Sequence, residues 1–306
     1  MPNAGDSVIS IRDFGRDEIL QVLSVAAGME AEDRFGLLEG YVLATMFLEP
    51  STRTRLSFTS AMMKLGGQVL DFGEPEHSSF KKGESLGDAI RIVAGYCDVM
   101  ALRHPWEGAA RLAAEIAGVP VINGGDGANQ HPTQTFLDLY TIQKVKGGID
   151  GLTVGFVGDL KYGRTVHSLA AALSRFDCRQ VFVAPASLAP PEGLLNELDE
   201  ADVPYSQSNK LGGVLPELDI LYCTRIQQER FADSLEYERV KGAYRIDMQL
   251  LEEGGARDSL RIMHPLPRVD ELATDVDDTP YAVYFEQARN GVPIRQALLA
   301  LVLGKV

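Results

Sequence analysis

Short apolar runs alternate with stretches whose apolar residues recur every three or four positions, and this alternation holds along most of the chain. In the first half, strand-like runs fall at 42–48, 68–72, 98–102 and 119–122, with helix-like stretches at 52–65, 84–95 and 106–117 between them. A longer helix is predicted over 133–146, where Phe136, Leu137, Tyr140 and Val145 make the apolar face and Gly147-Gly148 ends it. A second series sets strands at 152–157, 180–184, 219–223 and 260–263, with helices near 164–175 and 191–200. The last amphipathic stretch, about 280–303, reads as two helical pieces broken near Gly291-Val292-Pro293. Strand–helix–strand repetition builds a parallel sheet covered by helices on both faces. Over 306 residues the pattern predicts an α/β chain of two similar-sized domains joined through the 133–146 helix, each a parallel β-sheet flanked by helices.

In open parallel sheets, ligands bind outside the carboxyl ends of the strands. The unusual turns of this sequence fall there. Ser51–Arg55 follows the first strand, Arg103-His104-Pro105 the third, and Asn129–Gln134 precedes the joining helix. In the second half, Asp159–Arg164, Thr224–Gln227 and His264–Arg268 follow strands in the same way. The expectation is that these turns meet in a substrate cleft between the domains.

Ser51-Thr52-Arg53-Thr54-Arg55 lies between an apolar strand and an amphipathic helix. A helix N-terminus offers unpaired amide N–H groups and partial positive charge, so it suits a phosphate. Hydroxyls and guanidinium groups add donors at the same place. The plainer alternative is a capped helix start, with Ser51 or Thr52 as N-cap and the arginines in solvent. Against it, arginine in a first turn opposes the helix dipole and calls for an anion or a carboxylate nearby.

Composition narrows the class. Hydrophobic residues at 45% and charged residues at 24% suit a soluble globular protein. The N-terminal residues show neither a basic run nor an apolar core, and Ala297–Val302 is far too short to span a membrane. A cytoplasmic protein is expected. A net charge of −14 argues against nucleic acid and anionic membranes as partners. It does not exclude an anionic substrate, because distant charge is screened beyond about 8–10 Å. Cys97, Cys178 and Cys223 form no Cys-x-x-Cys pair. Cys97 and Cys223 read as core thiols of buried strands.

Phe47-Leu48-Glu49-Pro50-Ser51-Thr52-Arg53-Thr54-Arg55 resembles the carbamoyl-phosphate signature of the transcarbamylases. His131-Pro132-Thr133-Gln134 resembles their second signature. His264-Pro265-Leu266-Pro267-Arg268 and Thr224-Arg225-Ile226-Gln227 resemble the aspartate branch of that family; Pro265 stands where the ornithine branch typically has cysteine. The likeness spans essentially the whole chain. It implies a carbamoyl-phosphate-binding domain over 1–132, with a C-terminal helix at about 286–306 packing back on it, and an aspartate-binding domain over 133–285. It implies transfer of a carbamoyl group from carbamoyl phosphate to L-aspartate, without metal or organic cofactor, in pyrimidine biosynthesis.

The roles implied by the resemblance are specific. Ser51, Thr52, Arg53 and Thr54 hold the phosphate, while Thr54, Arg103 and His131 bond the carbonyl oxygen. Gln134 and the backbone carbonyls of Pro265 and Leu266 accept from the carbamoyl NH₂. Arg164, Arg225 and Gln227 take the two carboxylates of aspartate. Lys82, accompanied by Ser78 or its neighbour Ser79, reaches in from an adjoining subunit of a homotrimer. Whether regulatory chains or dihydroorotase join that trimer stays open. Plainer roles are expected for His104, His264 and His167 as turn-ordering or structural groups, for Arg55 as a salt-bridge partner, and for Glu49 as a tie to arginines across the domains. Arg230 and Arg268 remain open, and the acidic stretch Asp270–Asp278 reads as a solvated loop.

Other classes fit less well. Thr153–Asp159 resembles the start of a dinucleotide-binding turn, but Gly155, Gly158 and Gly163 lack the Gly-x-Gly-x-x-Gly spacing. A non-catalytic relative should lack a substrate ligand, and none of the matched positions is empty. A different amine acceptor within the family is disfavoured by Arg164, Arg225 and Gln227, which suit a dicarboxylate.

Overall fold

The computed structural model describes residues 4–73, 79–226, 238, 240 and 242–306. Two compact units emerge, one from residues 1–137 with 290–306 and one from 138–289. In the first unit α1 (Arg16–Ala31) precedes β1 (Val42–Phe47), α2 (Thr52–Lys64), β2 (Gln68–Asp71), α3 (Leu86–Ala94), β3 (Val99–His104), α4 (Ala109–Ile116) and β4 (Val121–Asp126). The chain passes from one unit to the other within α5 (Pro132–Lys146). The second unit continues with β5 (Thr153–Val157), α6 (Arg164–Leu173), β6 (Arg179–Val183), α7 (Glu192–Glu200), β7 (Tyr205–Ser208), β8 (Ile220–Cys223), α8 (Met248–Glu253), β9 (Arg261–Met263) and α9 (Tyr284–Arg289). Finally α10 (Gly291–Val302) belongs to the first unit.

Both sheets are parallel. The first has the order β2-β1-β3-β4 and the second β7-β6-β5-β8-β9. The central strands are buried on both faces, which explains why they read as continuous apolar runs. In the first unit Met46, Met100 and Leu102 pack against Ala89, Ile90 and Ala113 of the covering helices. In the second, Val157, Val181 and Leu221 pack against Leu251, Leu272 and Tyr284. Along α10, apolar residues are buried all round, because it is sandwiched by α1 and α2.

Several elements depart from the sequence expectations. The edge strand β7 was not predicted: Tyr205-Ser206-Gln207-Ser208 is polar and offers no apolar run, and its pairing with β6 comes from the backbone. Helix α1 also lies outside the expected elements, although its buried Ile19, Val22, Leu23, Ala26 and Met29 recur at helical spacing. Short α8 was also unpredicted. Cys97 is a correction: it lies half-buried in the connection between α3 and β3 rather than inside a strand, while Cys223 is buried in β8 as expected. Burial pushes both thiols above their ordinary pKa, which suits inert sulfhydryls.

Candidate active site

In each sheet the chain winds outward from a central strand to one edge, then crosses back and continues on that strand's other side. That switch lies between β1 and β3 in the first sheet and between β5 and β8 in the second. Open α/β sheets bind ligands at such points, outside the carboxyl ends of the strands. Ser51–Arg55 and Arg103 flank the first switch, and Asp159–Arg164 and Thr224-Arg225 flank the second.

At the end of β1 the chain turns through Glu49-Pro50-Ser51 into α2. The first bond of that helix runs from the Arg55 N–H to the Ser51 carbonyl at 3.2 Å, so the amides of Thr52, Arg53 and Thr54 precede the ladder. Ser51 makes no side-chain cap to any described residue, which removes the plainer reading of its hydroxyl. Thr52 and Arg53 are exposed at this positive helix end and Thr54 is buried. Partial burial lowers the Arg53 guanidinium from its ordinary pKa, though a guanidinium stays charged. Arg55 instead reaches Asp71 on β2 at 2.6 Å, the salt-bridge role expected of it.

Arg103 stands beside Phe47 in the β1–β3 register. Its Nη2 pairs with Glu49 Oε2 at 2.8 Å, and its Nη1 donates to the Gly124 carbonyl at 3.1 Å. Only 11% of the arginine side chain and 24% of the glutamate side chain are exposed, so each charge offsets the desolvation of the other. His104 accepts the Trp106 N–H on Nδ1 at 2.9 Å and thereby orders the turn. Burial lowers its imidazole pKa, and Glu49 and Asp126 act in the opposite sense. His131 is buried immediately before Pro132, the first residue of α5. The His131 carbonyl takes the N–H of Gln134 at 3.0 Å and of Thr135 at 3.2 Å, so the helix begins under it. Thr133 is gripped by Arg295 of α10, whose Nη2 lies 3.3 Å from the threonine hydroxyl and whose guanidinium stacks on Phe58 of α2.

In the second unit, Arg164 opens α6 and is buried, while Arg225 follows β8 and is half-buried. The two turns are in contact: the Asp159 N–H donates to Thr224 Oγ1 at 3.2 Å. Gly158 makes this approach possible. Its φ is +117°, and an added Cβ would sit 2.1 Å from the Thr224 carbonyl oxygen. His167 bonds the Leu160 carbonyl at 2.8 Å, a structural role as expected.

After β9, His264 organises the Pro265-Leu266 turn. Its Nδ1 accepts the Leu266 N–H at 2.8 Å, which leaves Nε2 to donate to Glu271 Oε1, also at 2.8 Å. Leu266 is held at φ +56°, costly for a bulky residue and maintained by this bond. Burial works to raise the Glu271 carboxyl, but hydrogen bonds from His264 and the local backbone outweigh it and leave its pKa below the ordinary value. Behind the turn, the His264 N–H donates to Gln287 Oε1 at 2.8 Å. Gln287 Nε2 donates to Asp138 at 2.7 Å, and the Tyr222 hydroxyl donates to the other oxygen of Asp138 at 2.9 Å. Arg268 resolves as structural: it binds Asp277 at 2.6 Å and packs over Tyr284. The stretch Asp270–Asp278 is therefore only partly the solvated loop expected, since Glu271 and Asp277 are anchored.

The expected ligands thus gather by unit. Ser51, Thr52, Arg53, Thr54, Arg103, His131 and Gln134 belong to turns at the carboxyl edge of the first sheet. Arg164, Arg225, Pro265 and Leu266 belong to the corresponding edge of the second. Lys82 is exposed at the end of a 3-10 turn, Ser79–Lys82. Ser78, Gln227 and Arg230 lie outside the described residues. The sequence reading missed Asp126, Asp138 and Gln287, which bind turns together and carry no motif of their own. Among the described residues, no cluster of His, Cys, Asp and Glu suits a metal ion, and no helix is long and apolar enough to cross a membrane.

Two family models match almost the whole chain. The carbamoyl-P binding domain of aspartate/ornithine carbamoyltransferase matches residues 6–144, and the Asp/Orn binding domain of the same family matches 150–302. The chain is 55% identical over 304 residues to the aspartate carbamoyltransferase catalytic subunit of Thermococcus kodakarensis, covering 98% of this chain and 97% of that protein. It is 53% identical over 298 residues to the Chromobacterium violaceum protein of the same name, covering 97% and 98%. Among solved structures, the aspartate transcarbamoylase of Trypanosoma cruzi in complex with carbamoyl phosphate and aspartate superimposes with a TM-score of 0.92 at 39% identity, over 98% of this chain and 97% of that one. The M. jannaschii catalytic subunit gives 0.89 at 50% identity, over 97% and 98%. Sequence, fold and the phosphate-type turn agree, and the chain belongs to the aspartate/ornithine carbamoyltransferase family.

Proposed function

We propose that the chain transfers the carbamoyl group of carbamoyl phosphate to the amine of L-aspartate, giving N-carbamoyl-L-aspartate and phosphate in pyrimidine biosynthesis. The observation that carries this reading is the coincidence of anion-binding turns with the switch points of both sheets, in a chain more than half identical to aspartate carbamoyltransferase catalytic subunits. In the first unit, the α2 N-terminus with Ser51, Thr52, Arg53 and Thr54 holds the phosphate. Thr54, Arg103 and His131 donate to the carbonyl oxygen. In the second unit, Arg164 and Arg225, with Gln227, take the aspartate carboxylates in planar, two-pronged bonds. Gln134 and the carbonyls of Pro265 and Leu266 accept from the carbamoyl NH₂.

The chemistry follows from these groups. The aspartate amine attacks the carbamoyl carbon and a C–N bond forms. Negative charge grows on the carbonyl oxygen, where each aimed donor contributes about 3–4 kcal/mol to the transition state. The C–O bond to phosphate then breaks, and the departing phosphate takes the amine proton. Holding two reactants in register supplies much of the remaining acceleration. The reading extends to a cytoplasmic homotrimer in which Lys82 and Ser78 serve the site of a neighbouring copy.

A direct assay tests it. Purified protein with carbamoyl phosphate should convert aspartate to carbamoyl-aspartate and leave ornithine and putrescine untouched. Product from ornithine or putrescine in preference to aspartate would overturn the assignment of Arg164 and Arg225.

A further inference from the structure

The turn that follows Arg103 at the end of β3 and the turn carrying His131 are both tied to one buried carboxylate. Near the end of β4 the register against β3 slips: Leu102 faces Asn123, yet His104 faces Asp126. The extra residue falls at Gly124-Gly125, and a bulge of this kind re-aims the chain that follows. Asn123 fixes it, accepting the Gly125 N–H at 2.8 Å and donating to the Ile9 carbonyl and to Asp126 Oδ1, both at 2.9 Å.

Asp126 is 1% exposed. Burying a carboxylate is costly unless donors surround it, and here four do. Oδ1 takes Asn123 Nδ2 and the Gln130 N–H at 3.0 Å. Oδ2 takes the Gly108 N–H at 2.9 Å and Asn129 Nδ2 at 3.0 Å. Gln130 immediately precedes His131, and Gly108 closes the turn that follows β3, the strand whose end carries Arg103. Direct contact reinforces the tie: the Gly127 N–H donates to the His104 carbonyl at 2.9 Å. Gly127 has φ +56°, and an added Cβ would meet the Pro105 carbonyl oxygen at 2.8 Å.

We propose that Asp126 is a positioning residue for carbamoyl transfer, its carboxylate setting the distance between the Arg103 end of β3 and the His131 turn so that both residues can donate to one developing oxyanion. The inference rests on the function proposed above. A purely structural staple would change stability alone; a positioning group changes the chemical step and the affinity for the substrate whose carbonyl it frames.

Two variants separate these roles. Asp126→Asn keeps the shape but turns one acceptor into a donor, so a backbone N–H then faces an NH₂ group. Asn129→Ala removes one donor from an exposed side chain and leaves the core untouched. With Asp126→Asn, kcat should fall about tenfold or more and KM for carbamoyl phosphate should rise, while KM for aspartate stays within about twofold. Asn129→Ala should move the same quantities less far, without a change in melting temperature. The inference is overturned if both variants keep wild-type kcat, or if KM for aspartate moves as much as KM for carbamoyl phosphate. Should Asp126→Asn fail to fold, the Asn129→Ala parameters decide alone. Wild-type protein runs alongside: no carbamoyl-aspartate from it sinks the proposed activity and this inference together, whereas active wild type with unaltered variants sinks only the inference.

Discussion

At the residue scale, the guanidinium groups take different roles. Arg55, Arg103 and Arg268 each pair with a carboxylate of their own unit. Arg225, half-buried beside the Asp159–Thr224 contact, is the guanidinium we propose for aspartate. Its value there lies in a flat fork rather than in charge alone, so Arg225→Lys should not be tolerated. We expect KM for aspartate to rise roughly tenfold to a hundredfold, with KM for carbamoyl phosphate little changed, as steady-state kinetics would reveal. A lysine variant with wild-type aspartate KM would remove Arg225 from the site. The candidate ligands were legible in the sequence because they sit in short motifs. Their supports were not. Gln287 and Asp138 are 149 positions apart, and Asp126 reaches Gly108 across 18. A lone buried Asp or Gln carries no local signal, since its meaning depends on partners supplied by folding.

At the scale of elements, the connection from β9 to α9 is pinned by the Arg268–Asp277–Tyr284 cluster. The hydrogen bond from Arg268 holds the Asp277 carboxyl below the ordinary range, with Tyr284 assisting. Burial, then the adjacent Asp277, raises the Tyr284 hydroxyl, which remains protonated and donates. A depressed folded-state pKa contributes stability above the unfolded value and loses it as pH falls through the folded one. Wild type should therefore exceed Asp277→Asn in stability at neutral pH, and the gap should close between about pH 5 and pH 2. Denaturant melts across that window measure it; a pH-independent gap would exclude the ionised Asp277 as its source. Helices and central strands were legible because burial imposed their periods. Polar β7 was not, for its place is set by hydrogen bonds to β6 that no side-chain pattern records.

At the scale of the whole molecule, Lys82 is exposed and lies at the end of a turn between β2 and α3. If it serves a neighbouring copy, defects in different copies should complement. Lys82→Ala and Arg53→Ala should each be nearly inactive alone. Dissociated and reassociated together, they should recover a fraction of wild-type activity, because some sites then draw both intact residues. Mixtures that stay dead would confine each site to one chain. The two α/β halves were legible from the repeated strand–helix rhythm. Ownership of the last helix was implied by family likeness alone, since its apolar residues do not name the surface they cover.

That last helix has a further consequence. The backbone of Gly5 bonds to Val302, and α10 lies against α1 and α2 from the opposite end of the chain. During translation, every residue of the second unit has been made before α10 exists. The first unit must leave the apolar backs of α1 and α2 uncovered until the whole of the second unit has been made, and so of the two halves the one that starts first is the one that matures last.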